Sequence, residues 1–177
     1  AAARDAGDQP TLAKALANAG SQLHLAGQSE EGLDLSRQAV LEFRGLGDKR
    51  SELRTLANCA AIEQALGQPA QAAVTAETAL TIAREIDDRA LQPALHGLHA
   101  EMLSELGRPA AARSARQHAV TAARKLDDPT LLADQLEALG EMLLAQSAHD
   151  EAIKVYFEAG ALHGQRGDRT GQYRTVL

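Results

Sequence analysis

Aromatic side chains are nearly missing from this sequence: two Phe, two Tyr and no Trp among 177 residues. A core of ordinary size therefore has to be built from Leu, Ala, Ile and Val, and small side chains fill space only where backbones lie close together. A single cysteine, Cys59, excludes an internal disulfide and is compatible with a reducing compartment. No run of about 18 apolar residues is present to span a bilayer. The opening AAARDAGDQP has neither the basic region nor the apolar stretch of a signal peptide, so a cytoplasmic location is expected, with no membrane partner. Lys and Arg number 18 against 24 Asp and Glu, a net charge of -6, and no basic tract occurs. Nucleic acid is excluded as a partner of this domain, because phosphates are held by clustered cations that release counterions. The glycine-rich phosphate loop, the Gly-x-Ser-x-Gly elbow and the His-Glu-x-x-His segment are also missing. That argues against an enzyme, and no cofactor is expected.

Repetition is what the chain does have. Asp8, Asp48, Asp88, Asp128 and Asp168 stand forty apart, and Arg4, Arg44, Arg84 and Arg124 precede the first four at a constant interval. Gly27, Gly67 and Gly107 repeat at the same spacing with Ser147 in the fourth place, and Ala39, Ala79, Ala119 and Ala159 form a further column. A period of this length is the mark of a solenoid. The units are 11–50, 51–90, 91–130 and 131–170, in one solenoid over 1–177; 1–10 reads as the end of a preceding repeat and 171–177 as the start of a further helix. The chain is thus expected to be part of a longer solenoid, or one whose incomplete ends expose apolar faces.

Each unit reads as helix, turn, helix. Leu12, Leu16, Ala19 and Leu23 fall on one helical face before Gly27, and Leu35, Ala39, Phe43 and Leu46 follow it. Leu95, Leu98, Met102 and Leu106 precede Gly107, and Ala112, Ala115, Ala119, Ala122 and Leu126 follow. Pro69 and Pro109 mark the start of second helices, since amides of the first turn need no intrahelical partner. Asp128 before Pro129 predicts an N-cap, and each Arg of the preceding column lies in a last helical turn with reach to the Asp four residues on. The pair Asp87–Asp88 is accordingly a structural joint rather than a catalytic dyad.

These columns resemble the tetratricopeptide (TPR) repeat family. Leu16, Ala19, Gly20 and Leu23, and again Leu136, Leu139, Gly140 and Leu143, match its first-helix pattern. Gly67, Ala72 and Ala79, with Gly107, Ala112 and Ala119, match its turn and second helix. The usual repeat is about 34 residues; the longer forty-residue variety, in which helices gain about one and a half turns, resembles that of kinesin light chain and of large multidomain bacterial regulators. His96 stands in the column of Leu16, and Glu63 in that of Leu23. The resemblance implies an all-α, right-handed solenoid of antiparallel helix-turn-helix repeats, acting as a protein-interaction module.

By that resemblance a peptide or partner helix lies on the first helices, along a concave groove. The groove positions are Lys14, Asn18 and Ser21, then Arg54, Asn58 and Gln64, then Glu101 and Glu105, then Asp134, Glu137 and Glu141, with Arg174 beginning the next helix. Asn18 and Asn58, forty apart, are expected to bond a peptide backbone, because an amide both donates and accepts; the alternative is that they are solvated or bond a neighbouring helix. The change of charge along the groove predicts acidic or carbonyl-rich ligand groups near Lys14 and Arg54 and basic ones near the Glu and Asp set, unless these are plain solvated faces. The alternative function is a sensory or regulatory arm of a larger bacterial signalling or transcription protein, binding a small ligand or its own other domains. Self-association through the terminal faces is a third option. His96, His99 and Cys59 form the best metal candidate, but all three occupy core columns and lack zinc-ligand spacing, so no metal is expected.

Overall fold

The structure is a computed structural model that describes residues 8–165, with side chains through His163. Among the described residues every regular element is a helix: α1 (Gln9–Leu25), α2 (Ser29–Leu46), α3 (Lys49–Ala65), α4 (Pro69–Glu85), α5 (Gln92–Glu105), α6 (Pro109–Ala123), α7 (Pro129–Ala145) and α8 (His149–Gln165). The second helices start forty residues apart, at 29, 69, 109 and 149, two of them on the prolines assigned to this place. Their turns share one conformation. Gly27, Gly67 and Gly107 have positive φ, and Ser147 adopts φ 59 in the same column. In each case the next amide bonds the carbonyl five residues back, as in Gln68 to Glu63 and Ala148 to Leu143, both 2.9 Å. That bond closes the helix end in a Schellman arrangement.

The first helices keep the register less strictly, starting at 9, 49, 92 and 129. Asp48 and Asp128 do cap: Asp48 accepts from the Ser51 amide at 3.0 Å, and Asp128 from Thr130 and Leu131 at 3.0 and 3.1 Å. Asp8 stands at the cap of α1 without a side-chain cap bond. Asp88 departs from the expectation, because Leu91 occupies the N-cap of α5. Pro93 explains the delay. In a helix begun at 89 it would be the fifth residue, where its missing N–H and its ring conflict with the carbonyl four back; begun at Gln92, the helix holds it in the first turn. The arginine column is corrected too. Arg44 reaches Glu52 at 2.8 Å, and Arg124 grips both oxygens of Glu158, so these cations tie neighbouring helices together rather than the joint aspartates. Arg4, Asp168, Arg174 and segments 1–7 and 171–177 lie outside the described residues.

The chain divides into two compact units between Asp88 and Arg89. In the first, α1 packs on α2, α2 on α3 and α3 on α4. The α1/α2 crossing is a glycine contact: a Cβ on Gly20 would stand 2.3 Å from the Ser36 hydroxyl, and one on Gly32 would stand 2.6 Å from the Gly20 carbonyl. Ala13, Ala39 and Phe43 close the core beside it. Leu12, Leu16, Ala19 and Leu23 are only partly buried, and Leu46, expected on the inner face, is 38% exposed at the last position of α2. The second unit packs α5 on α6, α6 on α7 and α7 on α8. Leu136, Leu139 and Leu143 form its main cluster with Val120, Ala152 and Ala159. Gly140 is the counterpart of Gly20, and the Tyr156 ring lies over it at a distance where a Cβ would come within 2.6 Å.

Two buried charged residues with long side chains are Glu63, in a column otherwise of leucine, and Arg116, in that of Ser36, Ala76 and Tyr156. Glu63, 1% exposed, takes a hydrogen bond from Arg37 of α2 at 2.9 Å, and its other oxygen has no partner. Arg116, 4% exposed, reaches Glu101 at 2.9 Å and Gln135 at 3.4 Å through a notch left by Gly97.

Candidate functional site

Residues on one side of a helix recur at three- and four-residue steps, so Lys14, Ala17, Asn18 and Ser21 form one edge of α1 and Ser51, Arg54, Thr55 and Asn58 one edge of α3. These eight side chains, with Phe43 of α2, line an open-sided pocket of about 310 Å³ in the first unit. Five of the six groove residues expected from the first two repeats are thereby brought together; Gln64, near the C-terminal end of α3, is not among the lining residues. The sequence contains two asparagines, Asn18 and Asn58, and both line this pocket.

The pocket is polar and biased towards positive charge. Asn58 donates through Nδ2 to the Ser21 hydroxyl at 3.2 Å, and that hydroxyl donates to the Ala17 carbonyl at 3.1 Å. Asn58 is thus held in place with its amide oxygen unspent. Asn18 is exposed and has no hydrogen-bond partner among the described residues. Lys14 and Arg54 are likewise exposed and form no ion pair among the described residues. Asp48, the N-cap of α3, has its carboxyl held below its ordinary value chiefly by hydrogen bonding to Ser51, with a smaller contribution from the charge of Lys14. Two available cations, an available amide and a wall of hydroxyls suit carbonyl and carboxylate oxygens.

The acidic residues of the second unit do not form an equivalent set. Glu101 is engaged with Arg116, and Glu137, partly buried on α7, pairs with His163 of α8 at 2.9 Å. Asp134, Glu141 and Glu105 are exposed. The Tyr156 hydroxyl has its pKa raised by burial first, then by the charges of Glu141 and Glu137. Sequence reasoning missed Arg116, because its partners lie on two other helices, and missed Phe43 as pocket lining, because it read that residue only as core. Cys59 is buried and its thiol is pushed up to about 12 by burial, then by Glu63. His96 faces His118, with ring centroids 5.3 Å apart. Among the described residues no group of three His, Cys, Asp or Glu side chains is placed to hold a metal ion, and no helix is long and apolar enough to cross a membrane.

Antiparallel helix pairs in forty-residue register, crossing at small residues and presenting polar edges on their first helices, define a TPR-like helical-repeat fold. Solved structures show the same fold. The apo form of RapI superposes with a TM-score of 0.86 at 15% identity over 95% of this chain, and this chain spans about half, 47%, of RapI. A Podosopora anserina protein of nearly identical TPR-like repeats, assigned as a kinesin light chain, gives 0.74 at 18% identity, covering 92% of this chain and 81% of that one. MamA gives 0.64 at 15% identity, covering 93% and 87%. No family model matches the sequence, and no curated protein matches it.

Proposed function

We propose that the chain is a protein-interaction module that holds an extended peptide along its first helices, with an acidic or carbonyl-rich stretch of that peptide in the pocket of the first unit. The observation that carries this reading is the convergence of Lys14, Asn18, Arg54 and Asn58 on one cavity lined from α1 and α3. In this reading Asn18 and Asn58 bond the peptide backbone, which provides affinity without demanding a sequence, and Lys14 and Arg54 select negative charge. The exposed Asp134, Glu141 and Glu105 of the second unit favour basic groups, while Glu101 and Glu137 contribute less because Arg116 and His163 already engage them. The module needs no catalytic group, and a cytoplasmic setting fits its single buried thiol.

The test is selection from a randomised peptide library on the immobilised chain. Bound peptides should be enriched in Asp and Glu, and the enrichment should disappear on a Lys14→Glu, Arg54→Glu variant. Enrichment that survives the charge reversal would sink the assignment of the pocket. A second reading, a regulatory arm of a longer protein, is favoured by the match to about half of the RapI chain. It requires that a small ligand or another domain of the same protein, rather than a separate peptide, occupy the pocket, and the same library would then return no enriched peptide.

A further inference from the structure

Lys14 and Arg54 stand in one column, forty residues apart, on α1 and α3, which touch each other in the first unit. In the later repeats the same column holds Ala94 and Asp134. Like charges at equivalent places on neighbouring helices repel, and no Asp, Glu or His is among the residues that line the pocket between them. Cations at other helix contacts are balanced: Arg37, Arg44, Lys49, Arg113 and Arg124 each pair with a Glu on another helix. Asp48 feels the charge of Lys14, but it caps α3 through the Ser51 amide and is not part of the lining. The pocket therefore gathers two positive charges without a lining counter-charge, in a chain whose net charge is -6.

That imbalance specifies the charge of the ligand. A carboxylate brings one negative charge on two oxygens and leaves one of the two cations uncompensated. A phosphomonoester carries about -1.5 to -2 at pH 7 on three acceptor oxygens, enough for the Arg54 fork to hold two of them and Lys14 the third. We infer that the pocket of α1 and α3 takes a phosphorylated side chain of the bound peptide, so that phosphorylation of the partner turns binding on. This rests on the peptide-binding reading above and names its acidic group. The groups beside the cations suit a peptide as the carrier: the Asn58 side chain donates to Ser21 with its amide oxygen still available, and the Asn18 amide is exposed, so the two can meet the N–H and C=O groups of a chain. A nucleic-acid strand would need a longer track of cations, whereas the column turns to Ala94 and Asp134 after Arg54.

The test uses three randomised peptide pools that differ in one fixed central residue, phosphoserine, glutamate or serine, applied to the 177-residue chain at pH 7.5 and 5.5. At pH 7.5 the phosphoserine pool should be retained about tenfold more strongly than the glutamate pool, the ratio given by one added charge-assisted hydrogen bond. The advantage should shrink at pH 5.5, below the second phosphate pKa of about 6. Over that interval the change belongs to the ligand, because the charged lining groups are Lys14 of α1 and Arg54 of α3, α2 contributes Phe43, and Asp48 is held below its ordinary value. Lys14→Gln, Arg54→Gln alters two exposed side chains; it should leave the helical circular-dichroism spectrum unchanged and bring phosphoserine retention down to that of serine. Equal retention of the phosphoserine and glutamate pools, both above serine, overturns this inference and leaves the acidic-peptide reading standing, whereas retention of neither above serine overturns both. A phosphoserine preference that survives Lys14→Gln, Arg54→Gln overturns it by placing the site elsewhere. Inorganic phosphate binding as tightly as the phosphoserine pool overturns it by making the free ion the ligand.

Discussion

At the scale of single residues, the capping aspartates and the buried thiol give the firmest expectations. Asp48 has a carboxyl held below its ordinary value by Ser51, so the folded chain takes up that proton less readily than the unfolded one. Its contribution is complete above the unfolded carboxylate value of about 3.9 and is lost as pH falls through the lower folded value. Urea titrations at neutral pH should find Asp48→Ala less stable by about 1 kcal/mol. Asp48→Asn should flatten the loss of stability on acidification relative to the original chain; an unchanged acid limb would show that Asp48 is not what titrates there. Cys59, with its thiol pushed up to about 12, should resist a thiol-specific reagent at pH 7 until the protein unfolds. Rapid labelling of the native protein would contradict the burial. Asp48 and Asp128 were legible as caps from their place before helical patterns. The partners of Arg44 and Arg124 were not, because a long guanidinium stem spans the gap to a neighbouring helix and the choice of partner depends on packing.

Among the elements, helix contacts depend on a few positions where bulk or charge decides the outcome. Gly20→Ala places a methyl group against Ser36 and the Gly32 carbonyl, and overpacking of this kind costs about 1–3 kcal/mol. A thermal melt would register it as a lowered midpoint. Glu63 and Arg37 behave asymmetrically. Arg37→Ala leaves a carboxylate buried without its cation, a loss of about 3–5 kcal/mol where the pair is fully buried and less here because Arg37 is half exposed. The Arg37→Ala, Glu63→Leu double variant restores the leucine found at Leu23, Leu103 and Leu143 and should recover most of that stability in denaturant titrations. Failure to recover would mean that the pair shapes the α2/α3 joint beyond its charge balance. The repeated glycine, alanine and proline positions made the order and pairing of the helices readable. They did not reveal the late start of α5, because alignment by period treats every unit alike and only the local chemistry of Pro93 breaks the pattern.

For the whole molecule, the fold class was legible because a forty-residue period restates one local solution four times, and errors in any single column are outvoted. The candidate site was legible only in part. Lys14, Asn18 and Ser21 recur along one edge of α1 and Arg54 and Asn58 along one edge of α3; counting gives each edge, the resemblance to TPR repeats put the two edges on one groove, and the pocket is lined by all five. The acidic half depended on which carboxylates remain unengaged, and that was settled by Arg116 and His163 from second helices. Loss of one amide from the site should weaken peptide binding by about 1 kcal/mol, roughly fivefold in Kd. The central claim is that the pocket of α1 and α3 receives an acidic peptide. Because the chain has two asparagines and both lie there, their side-chain amide signals in an NMR titration with an acidic peptide are the most direct reporters. The account predicts that both signals shift in a saturable way, and that Lys14→Glu, Arg54→Glu abolishes the shifts while the helical spectrum stays the same. Saturable binding that leaves both asparagine signals in place, or shifts that persist through the charge reversal, would contradict it.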